Sequence, residues 1–144
     1  MLSNCERPGI GAVGAKLYYP DNTIQHAGII IGIGGIAGHA FLNLPRARSG
    51  YLHKASLQMN VSAVTAACMM VSRKIFDLVG GFEETLSVAF NDVTYAFASR
   101  KPEYHNVYNP HVNVSVTSQN QEEPKTAEAK ARRFQNEKSI VIAY

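Results

Sequence analysis

The chain has 144 residues, 46% hydrophobic and 17% charged, with a formal net charge of +3. That is long enough for one domain with a buried core and too apolar for a disordered chain, and the mild positive charge gives no reason to expect a nucleic-acid partner. Cys5 and Cys68 have no metal-ligand spacing and form no disulfide framework, no apolar run nears the roughly 18 residues of a membrane span, and residues 1–20 lack a basic start with an apolar signal core, so a cytoplasmic protein is expected.

The stretch "GAVGAKLYY" (11–19) alternates and ends at Pro20-Asp21-Asn22, which predicts a strand and then a turn. The β-branched run "TIQHAGIII" (23–31) predicts a second strand, paired with the first as a hairpin. Residues 32–55 carry five glycines and Pro45 and hold no helical period, so they read as a long loop of the kind that often carries function. The continuous apolar run "AVTAACMMVS" (63–72) suits a strand buried on both faces. In "RKIFDLVGGF", Ile75, Phe76 and Val79 share one helical face and Gly80 fits a C-terminal cap. A further helix is expected over 91–101, opened by Asn91 or Asp92, with Val93 and Phe97 inward and Arg100 and Lys101 in its last turn. "NVYNPHVNVSVTS" (106–118) reads as two short β stretches broken at Pro110. Residues 122–139 read as an exposed polar helix with Pro124 in its first turn, followed by a strand or docked tail. The order predicts a mixed α/β or α+β fold, too irregular for a complete doubly wound sheet.

Within the loop, Gly32-Ile33-Gly34-Gly35-Ile36-Ala37 spells G-x-G-x-x-A, a variant of the dinucleotide fingerprint. That fingerprint requires a helix opened by the glycines and an acidic residue about 20 positions on. The next stretch, "HAFLNLPRARSG", has no helical period, and no acidic residue occurs between Asp21 and Asp77. The run also lacks a Gly-Lys-Ser/Thr ending, so a P-loop is excluded. The glycines are therefore expected to form a bend.

The densest polar cluster is "GGFEETLSVAFNDVTYAF" (80–97), with Glu83, Glu84, Asn91 and Asp92 in or beside a loop that feeds a helix. Asp92 at the helix start is either a cap or an ionised general base. Of the five histidines, none is paired at helical i, i+4 spacing; His26 and His39 flank the glycine loop and could meet in space. No metal site is expected from these residues.

The run "VTAACMMVSRKIFDLVGGFEETLSVAFNDV" resembles the C-terminal half of the catalytic domain of bacterial family 2 glycosyltransferases of the GT-A, nucleotide-diphospho-sugar transferase-like fold. The matching residues are Thr65-Ala66-Ala67-Cys68, Arg73, Gly80-Gly81-Phe82-Glu83-Glu84 and Phe90-Asn91-Asp92-Val93. The stretches 13–39 and 104–112 are similar as well, so the resemblance covers nearly the whole chain. It implies transfer of a sugar from a nucleotide-sugar donor to an acceptor hydroxyl, with inversion. Asp92 is then the catalytic base, and Asn91, His39, His26 and Glu84 lie on the acceptor side.

Three departures qualify that picture. The family's N-terminal Rossmann-like half and its Asp-x-Asp motif, which holds metal and donor diphosphate, have no counterpart here. Thr94 stands where the family usually has Asp. A late metal-binding His falls by alignment near Val116-Thr117-Ser118, where no His is present. The expectation is a single domain over 1–144, the acceptor-side portion of a glycosyltransferase and inactive alone. It binds no cofactor itself. Divalent metal (Mg or Mn) and nucleotide-sugar donor belong to the complete enzyme, as does any membrane association. A sugar or glycan acceptor is the expected partner, and exposed sheet edges are expected to drive homo-oligomer formation. The alternative is a non-catalytic binding or assembly module that reuses the half-fold.

Overall fold

A computed structural model of the chain describes residues 1–33, 37–83, 86, 90–100 and 103–117. It is mixed α/β, as expected, around a curled mixed sheet. After a single helical turn, α1 (Leu2–Cys5), comes the central strand β1 (Ile10–Tyr18). Its Gly11, Ala12, Gly14 and Ala15 let neighbours approach closely, and every residue from Gly11 to Tyr18 is buried. The long strand β7 (His105–Ser115) runs parallel along one edge of β1, while β2 (Ile24–His26) and β6 (Met69–Met70) share the other edge, both antiparallel. Strand β5 (Met59–Val61) pairs on the far side of β7.

The first turn forms as the sequence predicts. The Asp21 carboxylate accepts from the Thr23 amide (2.9 Å) and hydroxyl (2.7 Å), closing the link between β1 and β2. The second strand does not continue to residue 31. At Gly28 the backbone takes φ +97°, and a Cβ there would lie 2.7 Å from Val61 Cγ1. The chain bends and leaves the sheet, and β3 (Ile29–Ile31) pairs antiparallel with β4 (Ala37–His39) as a separate two-stranded ribbon. The glycine-rich run thus lies in sequence between two strands, and β4 follows it where the fingerprint would require a helix. The rest of the expected loop also has order. A kinked stretch of 3-10 turns, Tyr51–Ser56, with Leu52 and His53 in the left-handed region, ends with the Ala55 carbonyl accepting from both Lys16 Nζ and the Tyr108 hydroxyl, each at 2.9 Å.

The strand expected over 63–72 is corrected by the structure. Ala63 bridges to Ile29, a 3-10 turn occupies Ala66–Cys68, and only Met69 and Met70 pair with β1. Ala66 and Ala67 are exposed. The Thr65 hydroxyl accepts from the Ala67 amide at 3.4 Å, a local bond that competes with strand pairing.

Helix α2 (Arg73–Leu78) matches its prediction. The Ser72 hydroxyl accepts from the Ile75 amide at its start. At its end the Gly81 amide donates to the Phe76 carbonyl and the Gly80 amide to that of Asp77, the paired bonds of a Schellman cap with Gly80 at φ +86°. Helix α3 (Asn91–Arg100) buries Val93, Thr94, Tyr95, Ala96 and Ser99. Val93 and Ala96 pack with Ile29, Ala63 and Leu86, with Phe97 against that cluster, so α3 seats the ribbon as well as the sheet. The Tyr95 hydroxyl donates to the Gly11 carbonyl, and its ring contacts those of Phe76 and Phe82.

Pro110 does not end the last strand. Pairing with β1 steps from Ala15↔Asn109 to Lys16↔Asn113, so residues 110–112 form a bulge that accommodates the missing Pro110 N–H. The expected polar helix over 122–139 and the tail after it lie outside the described residues. No helix among the described residues is long and apolar enough to cross a membrane.

The bend at Gly28 gives the first prediction. Gly28→Ala combines a left-handed backbone with the Val61 contact and should lower stability by about 1–3 kcal/mol. Urea denaturation followed by circular dichroism measures it, and an unchanged midpoint would show that the bend does not need glycine.

Candidate functional site

The two histidines that flank the glycine loop meet. His26 ends β2 and is fully buried; His39 ends β4 and is exposed on its outer side. Their Nδ1 atoms lie 2.9 Å apart, with the rings edge-on at 86°. His26 Nε2 accepts from the Gly28 amide at 3.2 Å and, at a longer 3.4 Å, from the Thr65 amide. A neutral imidazole has one lone-pair nitrogen, so these amides place the His26 proton on Nδ1. His26 Nδ1–H therefore donates to His39 Nδ1.

Asp92 lies beside this pair. It sits half-buried in the first turn of α3, where the helix dipole favours an anion. Its Oδ2 accepts from the Ala66 amide at 3.3 Å and its Oδ1 from the Val93 amide at 2.9 Å. Burial depresses the His39 pKa, and the Asp92 carboxylate pulls it partly back up. Burial, reinforced by His39, pushes His26 down to about 3. The result is a neutral buried histidine, a second histidine facing outward, and a carboxylate within electrostatic reach.

The structure brings together three of the predicted residues: Asp92, His39 and His26. Asn91 turns inward: its Nδ2 donates to the Leu86 carbonyl at 2.8 Å and its Oδ1 is buried, so its visible work is to hold the approach to α3. Glu84 lies outside the described residues. Thr94 is buried, with its hydroxyl donating to the Asn91 and Phe90 carbonyls, and it takes no part in the Asp92 surroundings. Sequence reasoning missed the Thr65 and Ala66 amides, because backbone donors leave no residue signature. It also missed a separate cleft of about 400 Å³, lined in part by Lys54, Asn60, Arg100, Tyr104 and Asn106, whose lining includes neither Asp92 nor either histidine of the pair.

No family model matches the chain. It is similar to the uncharacterized protein y4gI of Sinorhizobium fredii (strain NBRC 101917 / NGR234), 51% identical over 111 residues, which span 76% of this chain and 12% of that protein. It is also similar to the O-antigen biosynthesis protein RfbC of Myxococcus xanthus, 40% identical over 94 residues, 65% of this chain and 7% of that protein. The chain therefore spans a small part of the length of these curated relatives.

Burial of the histidine pair fixes the direction of a pH effect. Between about 3 and 6.5 the unfolded chain holds a proton on His26 that the folded chain does not. Stability is thus full above pH 6.5 and declines as pH falls through the unfolded value, with a slope approaching ~1.4 kcal/mol per pH unit. His39, shifted the same way, adds to it. The unfolding free energy from urea titrations should drop by about 2 kcal/mol between pH 7 and pH 5, and equal values at the two pH values would contradict the burial of a neutral pair.

Proposed function

We propose that this chain is the acceptor-side part of an inverting GT-A glycosyltransferase domain that acts in polysaccharide biosynthesis. The observation that carries this reading is Asp92: an anion-stabilising helix start, a half-exposed carboxylate and a histidine beside it, all on the motif whose sequence resembles the family. Similarity to a protein named for O-antigen biosynthesis supports the same class of product. The other residues of the resemblance support it structurally. Thr65 and Ala66 supply the amides that touch His26 and Asp92, and Phe82 packs against Tyr95 of the Asp92 helix.

In this reading Asp92 takes the proton from an acceptor hydroxyl as that oxygen attacks the anomeric carbon of the donor sugar. The C–O bond to the acceptor forms while the bond to the nucleoside diphosphate breaks, and the diphosphate departs with its electron pair. Stabilising that leaving group takes divalent metal or cationic groups. Among the described residues no group of three or more His, Cys, Asp or Glu could hold a metal ion. In this reading, as the resemblance implies, the donor and a Mg or Mn ion belong to the rest of a complete enzyme, and the sugar or glycan acceptor to this part. Exposed Ile30, Ile31 and Ile33 on and beside the β3–β4 ribbon offer an apolar surface for that remainder or for a second copy of the chain.

Two measurements test the proposal. In a full-length protein that carries this sequence, Asp92→Asn should cut sugar transfer by at least 100-fold while nucleotide-sugar binding persists; transfer that survives makes Asp92 a helix cap and overturns the reading. By itself the 144-residue chain, titrated calorimetrically with UDP- and dTDP-sugars and Mg or Mn, should show no binding. Tight binding of any of these donors would place a donor site in this part and refute the division of labour.

A further inference from the structure

The His26–His39 contact has a direction. Both hydrogen bonds to His26 Nε2 come from backbone amides, of Gly28 on the bend after β2 and of Thr65 on the segment before the 3-10 turn. Backbone amides cannot change from donor to acceptor, so His26 Nε2 stays unprotonated and Nδ1 carries the hydrogen. With that hydrogen pointing at His39 Nδ1, 2.9 Å away, His39 Nδ1 must accept. The His39 proton is then confined to Nε2, the ring nitrogen that His26 does not engage, on a residue that is exposed.

The geometry points to His26 as a positioning residue that fixes His39 as an Nε2–H donor beside Asp92, for an oxygen of a hydroxylated ligand. The sugar acceptor is that ligand, so this step rests on the glycosyl-transfer reading above. A base and a hydrogen-bond donor on one site are what recognition of a sugar requires: the carboxylate, held by the Ala66 amide, accepts from one hydroxyl, and the imidazole N–H, fixed through His26 by the adjacent Thr65 amide, donates to another oxygen. A histidine free to choose its tautomer would present a lone pair there in part of the population. Protonation of His39 at Nδ1 would set two N–H groups against each other, and this opposes a positive charge next to the reacting hydroxyl. No element of sequence spacing requires this arrangement. It arises from the bend at Gly28 and the path of residues 63–66, which aim two amides at one buried ring nitrogen.

The test begins on the 144-residue chain and does not involve transfer. Long-range proton–nitrogen correlation spectra at pH 7 should show His26 as the Nδ1–H tautomer and His39 as the Nε2–H tautomer. In His26→Phe, which keeps a buried ring but removes both nitrogens, His39 should lose its tautomer bias and titrate at least half a unit higher. The opposite tautomers in the parent chain overturn the inference, and that spectrum decides it even where His26→Phe does not fold. An unchanged His39 in a folded His26→Phe chain overturns it equally. The second arm uses a full-length protein with measurable transfer. His39→Gln, which keeps a donor near the Nε2 position, should retain kcat/KM within about 5-fold, and His39→Leu should lose at least 50-fold. Equal activity of the two variants refutes the donor role. Correct tautomers in a protein that transfers no sugar would refute the glycosyltransferase reading and leave the positioning of His39 by His26 in place.

Discussion

Two consecutive backbone amides hold the site together. Thr65 N–H points at His26 Nε2 and Ala66 N–H at Asp92 Oδ2, so one short crossing ties the end of β2 to the start of α3. The crossing has little freedom. Ala63 is bridged to Ile29 upstream and Met69 is paired with Gly14 downstream. Between those anchors the chain makes a 3-10 turn closed by the Thr65 hydroxyl. A regular strand over residues 63–69 would lack the 3-10 turn that brings these two amides to His26 and Asp92.

The elements with punctuation were legible in the sequence. Pro20-Asp21-Asn22 announced the first turn, Gly80 the end of α2, and Asp92 and Arg100 the two ends of α3. Each works through bonds between residues close in sequence, so local chemistry suffices. The apolar run 63–72 misled because Ala and Cys side chains are small enough to pack in a strand or a turn, and the hydroxyl of Thr65 decided for the turn. The division of 23–31 into two strands depends on Val61, far along the chain, which leaves no room for a side chain at Gly28. Pro110 was visible as an interruption, but whether it ends a strand or bulges it depends on the partner, and parallel pairing with β1 resumes beyond it.

At the site, sequence showed which residues could meet and not how they would share protons. His26 and His39 flank the glycine run and do meet. Their unequal characters come from surroundings that composition does not display. One ring is enclosed and bonded to amides; the other has one face open and a carboxylate nearby. The glycine run, which spells a cofactor fingerprint, is a connection between strands of a ribbon. The antiparallel pairing of β3 with β4 brings His39 back to His26.

The Ala55 carbonyl, held by Lys16 from the central strand and by Tyr108 from its parallel neighbour, has a consequence for variation among relatives. It clamps the downstream end of the excursion that leaves β4, as the Ile24–Leu44 and Ile24–Asn43 backbone bonds clamp its middle. The cost of lengthening a loop whose ends are fixed rises only slowly with its length. Residues between Arg46 and Gly50 can thus be replaced by longer or shorter segments with little strain transmitted to the histidine pair. This segment is where proteins sharing the same core could diverge in length.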